Sequence, residues 1–120
     1  MKDVNVLISN GVEVYSSLEL FGDMETYDAT LEDFLEAVDK KMADIKRFKE
    51  MADMANYAIL VHAIKSDCKY LGITSLADLS YKHEVRSKDN DISFVNDNYN
   101  GLINMIEDYV TICKHYLNRD

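Results

Sequence analysis

The sequence predicts an all-α protein, an antiparallel four-helix bundle with a short N-terminal accessory helix. Three observations carry that expectation. The chain of 120 residues contains no proline, so no position lacks its backbone amide or clashes with the preceding turn, and long helices run unobstructed. Apolar residues recur at gaps of three and four through four substantial stretches. Outside the first eight residues, no segment shows the period-two alternation of a half-buried strand.

The opening residues include Val4, Val6, Leu7 and Ile8 and end in Asn10-Gly11, a turn signal. Residues 12–21 form the brief accessory helix, stopped by Gly22-Asp23, and Asp23 caps the next helix by accepting from its free amides. From Met24 the apolar positions run Tyr27, Leu31, Phe34, Val38, Met42, Ile45 and Phe48. That spacing keeps one face apolar for about seven turns, with a bend expected near Asp39. Asp53 caps a helix over Met54–Leu71, and Gly72 ends it in the left-handed conformation that glycine adopts without strain.

A shorter helix follows over residues 74–87, with Leu76, Ala77, Ser80 and His83 on one side, and residues 87–90 form a polar loop. Asp91 then caps the last helix, whose stripe contains Ile92, Val95, Tyr99, Leu102, Ile106, Val110, Cys113 and Leu117. Gly101 inside it costs about 1 kcal/mol of helix propensity, which points either to close packing or to no particular role. Four amphipathic helices on short links bury their stripes only against one another, which is why a bundle is the economical arrangement.

Composition narrows the classes of function. With 48% hydrophobic and 29% charged residues, the chain has enough apolar material for one core, and residues 1–120 read as a single domain. Cys68 and Cys113 both fall on apolar helical positions, which predicts reduced, buried thiols in a cytoplasmic protein. No run of 18 apolar residues exists, and the N-terminus lacks a basic segment followed by an apolar one, so neither a membrane span nor secretion is expected. A formal net charge of -9 disfavours a nucleic-acid partner. The lysines between Lys40 and Lys49 are interrupted by Asp44 and belong to a solvated helix face.

The helix over Met54–Leu71 carries the chemistry. At about 100° per residue, Met54, Tyr57, Ala58, Val61, Ile64, Cys68 and Leu71 form its core stripe, and His62 falls at the stripe's edge. Ala55, Ile59, Ala63, Ser66 and Tyr70 make a second patch of mostly small or apolar side chains beside His62, a surface on which a protein partner could dock. Lys65 and Lys69 follow one and two turns later and offer positive charge near the same edge. A neutral imidazole is a competent nucleophile near pH 7, because the ordinary histidine pKa is about 6.5. The same pattern also fits a boundary histidine with no chemical role. His83 reads as a core-edge residue of its helix, and His115 as a favourable charge at a helix C-terminus.

The stretch His62-Ala63-Ile64-Lys65-Ser66, followed by Leu71-Gly72, resembles the signature of histidine-containing phosphotransfer domains of two-component relays. His62, Ile64, Lys65 and Gly72 match, whereas Ser66 stands where that family usually has glycine. The resemblance extends upstream through Phe21-Gly22-Asp23-Met24-Glu25-Thr26-Tyr27 to Leu31 and Phe34, and with the helix lengths after Gly72 it spans nearly the whole chain. It implies a phosphorelay intermediate rather than an enzyme. His62 would accept a phosphoryl group from an aspartate of a response-regulator receiver domain and pass it to another receiver, with a hybrid histidine kinase as a further partner.

Lys65 and Lys69 would stabilise phosphoryl charge, and Ala55, Ile59, Ala63, Ser66 and Tyr70 would form the docking face. Magnesium would be held by the receiver, so this chain would bind no metal or cofactor of its own, and a monomer is the expected state. A helical interaction module of the same fold, with no covalent role for His62, is the competing expectation. A metal-using helical enzyme is disfavoured because no helix carries an E-x-x-H pair and because Asp53 and Asp67, the carboxylates nearest His62 in sequence, lie off its face.

Overall fold

A computed structural model describes residues 1–120. Six helices and no strands follow in order: α1 (Asn5–Ile8), α2 (Val14–Phe21), α3 (Met24–Glu50), α4 (Met54–Leu71), α5 (Thr74–Lys88) and α6 (Ile92–Tyr116). The N-terminal part departs from expectation. The opening segment folds as one helical turn, α1, whose Leu7 is fully buried, so the accessory structure is two short helices rather than one. α5 runs one residue past its expected end, so that Lys88 as well as Ser87, at the start of the expected polar loop, is helical.

The expected caps form. Asp23, Asp53 and Asp91 each accept a hydrogen bond from a backbone amide three residues on, at Thr26 (2.8 Å), Asn56 (3.2 Å) and Phe94 (3.0 Å). Each satisfies one of the orphan donors of a helix start. Gly72 closes α4 at φ 78°, ψ 14°. Its place is fixed sterically as well, because a Cβ there would lie 2.6 Å from the Glu13 carbonyl oxygen. The close approach lets the Glu13 amide donate to the Gly72 carbonyl at 2.9 Å, fastening the entry of α2 to the end of α4.

Among the long helices, α3 packs on α4, α4 on α5, α5 on α6, and α6 returns to α3; α2 lies against α3 and α4, and α1 against α6. The longest dimension, 43 Å, is set by α3, whose 27 residues span about 40 Å. One cluster of 25 buried apolar residues draws on all six helices. The buried face of α4 is the stripe that the sequence predicts: Met54, Tyr57, Ala58, Val61, Ile64, Cys68 and Leu71. On α3, Leu35 joins the core while Met42 and Phe48 are only half-buried.

Tyr27 is wholly buried and donates from its hydroxyl to the Leu71 carbonyl at 2.6 Å, tying α3 to the last turn of α4. Cys68 and Cys113 are buried free thiols. Burial raises both pKa values, that of Cys113 to about 12, which leaves them protonated packing groups. Gly101 is not closely packed, since a Cβ there would meet nothing within 4 Å. No helix is long and apolar enough to cross a membrane.

Candidate functional site

His62 stands on the outward edge of α4 because its neighbours Val61 and Ile64 are fully buried and fix the helix rotation. Its side chain is 54% exposed, and Nδ1 lies 2.8 Å from Oε2 of Glu84 on α5. Glu84 is the carboxylate at the centre of the site, with only 4% of its side chain exposed. Lys88, one turn later on α5, donates to the same Oε2 at 2.8 Å. Lys65 brings Nζ to 2.7 Å from Oε1 as a charge contact. Two ammonium groups and one imidazole thus converge on a single buried carboxylate.

Burial would raise the pKa of Glu84, but the contacts from Lys65, Lys88 and His62 outweigh it and hold the carboxyl at about 2. Glu84 is therefore ionised and offers only acceptors. The proton of a neutral His62 ring must then sit on Nδ1, pointing at Glu84, and the lone pair must sit on the exposed Nε2. With one carboxylate between two lysines, the cluster carries an excess of positive charge in a chain whose net charge is -9.

The predicted site residues separate into groups. Ala55 and Ile59 line a hollow of about 580 Å³ with His62, Glu84 and Lys88. Ile59 is among the most exposed large apolar side chains, as is Tyr70. Tyr70 lies on the α3 side of the ridge, in a second hollow of about 520 Å³ that also contains Phe34 and the Lys41–Asp67 ion pair. Ala63 and Ser66 are half-buried between the two.

Lys65 is drawn inward, 14% exposed, with Nζ also 5.1 Å from the centre of the Tyr81 ring. Lys69 is exposed and lines a separate hollow beside Glu13 and Gly72. Gly72 has the turn role expected of it. Asp53 is occupied as a helix cap and Asp67 pairs with Lys41, so neither faces His62.

Glu84 and Lys88 were not among the residues singled out from the sequence. One signal for Glu84 was available: it continues the buried face formed by Ala77 and Ser80 and completed by Ser87. A carboxylate on a core stripe needs a charged partner. Which partner it finds depends on the neighbouring helix. The other histidines differ from His62 in kind. His83 is wholly buried, not at a core edge, with Nδ1 2.8 Å from the Tyr57 hydroxyl. His115 is exposed and its Nδ1 is 2.7 Å from Asp120 Oδ2. No group of three or more His, Cys, Asp or Glu side chains is placed to hold a metal ion. Comparison with protein-family models, curated proteins and solved structures gives no match to this chain.

Proposed function

We propose that this chain is a phosphorelay intermediate in which His62 carries the phosphoryl group, and that α3, α4, α5 and α6 form the antiparallel four-helix bundle of a histidine-containing phosphotransfer domain. The observation that carries the reading is the exposed His62 ring held by a buried, ionised Glu84 at 2.8 Å. In a neutral ring that arrangement puts the nucleophilic lone pair on Nε2, away from Glu84, with a hollow beside the exposed side chain for a partner. Sequence resemblance supplies the partner class, a response-regulator receiver domain.

In the transfer, the Nε2 lone pair forms the N–P bond as the P–O bond to the receiver's aspartate breaks. The electron pair of that bond leaves with the aspartate carboxylate. The imidazole becomes cationic while keeping its proton on Nδ1, and Glu84 lies where it stabilises that charge, as a carboxylate does behind a catalytic histidine. Transfer to a second receiver runs the same step backwards. Magnesium would belong to the receiver, and the chain would act in the cytoplasm as a monomeric carrier rather than as an enzyme.

The test is incubation with phosphorylated receiver domains and magnesium, followed by detection of acid-labile, alkali-stable phosphate. Label on the wild type and none on His62→Gln is the expected result. Transfer from none of the receivers of the same organism, or label persisting in His62→Gln, overturns the reading. Receiver binding without transfer would identify the protein instead as an interaction module of the same fold.

A further inference from the structure

We infer that the two lysines of the Glu84 cluster divide the work: Lys88 is the ammonium that moves to the phosphoryl group on His62, while Lys65 is a positioning residue that holds Glu84. The inference rests on His62 being phosphorylated and reassigns the role that the sequence motif gives to Lys65.

Three observations carry it. Lys65 and Lys88 touch different oxygens of Glu84. Lys65 lies inward, 14% exposed, against Oε1 on the side away from the imidazole contact and with its Nζ near the Tyr81 ring. Its departure would leave a carboxylate that is 4% exposed without its inner counter-charge, a costly change in a poorly solvated position. Lys88 is 64% exposed and shares Oε2 with His62 Nδ1. Each of those nitrogens is 2.8 Å from that oxygen, so the two are at most about 5.6 Å apart.

A phosphoryl dianion arriving on Nε2 changes the balance at Oε2. The ring becomes cationic, which strengthens its hydrogen bond to Glu84 and supplies the charge that Lys88 had supplied. Lys88, on a flexible stem in solvent, is then free to turn to the phosphoryl oxygens. Lys65 has no such exchange available, because the ring does not contact Oε1. Lys69, lining a different hollow beside Glu13, takes no part.

The experiment uses the intact chain phosphorylated with phosphoramidate, which needs no receiver, and reads the phosphohistidine resonance by phosphorus NMR across pH. The resonance absent from His62→Gln is the one followed. An ammonium beside the phosphoryl group favours its dianion, so Lys88→Ala should weaken the final ionisation three- to tenfold, and Lys88→Arg should restore it. Lys65→Met and Lys69→Ala should each leave that constant within twofold. Nitrogen shifts of the unphosphorylated His62 ring should move in Lys65→Met, as Glu84 loses its anchor, and stay in place in Lys69→Ala.

A phosphoryl ionisation unchanged in Lys88→Ala, or changed more by Lys65→Met, overturns the division of labour. So does the absence of a His62 phosphate resonance in the wild type. Normal phosphorus titrations combined with no transfer from any receiver would leave the division standing and overturn the relay function alone.

Discussion

Tyr57 on α4 and His83 on α5 meet in the core, with the hydroxyl 2.8 Å from Nδ1 and both side chains wholly buried. The Phe94 ring of α6 meets the imidazole edge-on with centroids 5.2 Å apart, and the ring approaches the Asn98 backbone without closing a hydrogen bond at Nε2. A charged ring is poorly tolerated there, and desolvation lowers the His83 pKa to about 4. In the unfolded chain the ordinary value is about 6.5. The unfolded state therefore binds more protons between those values, and stability present above pH 6.5 is lost as pH falls toward 4, by roughly 3 kcal/mol. His83→Asn keeps a partner for Tyr57 and removes this titration. Urea unfolding of both proteins at several pH values should show the wild type losing stability faster; parallel loss would refute the account.

Glu84 adds a second acid-sensitive contribution at lower pH. Its folded pKa of about 2 lies below the ordinary carboxylate value, so its contribution is present above pH 4.5 and is lost as pH falls through 2. The functional consequence is tested near neutrality. In Glu84→Gln the amide offers His62 either an acceptor or a donor, and the proton is no longer held on Nδ1. Nitrogen NMR should show a mixture of ring tautomers, and the proposed phosphoryl transfer should slow roughly 10- to 100-fold. A single unchanged tautomer with normal transfer would remove Glu84 from the mechanism.

Gly72→Ala should be strongly destabilising. The residue sits at φ 78°, and its new Cβ would lie 2.6 Å from the Glu13 carbonyl oxygen, a backbone atom that cannot rotate away. Left-handed strain and displacement of the α2 entry together cost about 2 to 4 kcal/mol. Thermal unfolding followed by circular dichroism reads the loss, and a melting temperature equal to the wild type would contradict this packing.

Gly101→Ala should do the opposite. Position 101 is exposed within α6, with open space where a Cβ would stand. Alanine gains about 1 kcal/mol of helix propensity without displacing a neighbour. A rise in the urea midpoint at unchanged slope is the expected result, and a fall would show that the glycine has a contact partner.

Local structure was legible because its causes are local. Aspartates 23, 53 and 91 cap helices with amides three residues away, and the periodic stripe of α4 reproduces its buried face residue for residue. The opening turn, α1, was harder to read, since four residues are too few for a helical period to emerge. Ser87 and Lys88 look like loop residues by polarity, yet Ser87 donates to the His83 carbonyl at 2.6 Å and is buried in the last turn of α5.

The sequence by itself determined that the chain is helical, where its long helices begin and end, and that His62 borders the core stripe of α4. Those properties follow from spacing, capping chemistry and the absence of proline, all acting within a few turns. Only the tertiary structure decided what His62 faces. Glu84 is 22 residues away, on another helix, and reaches the imidazole only through the rotation and offset at which α4 and α5 pack. The same packing draws Lys65 inward and brings Lys88 to Glu84, while Lys69 remains apart. Side chains on separate helices meet according to how the helices interlock, and that is set by the whole core.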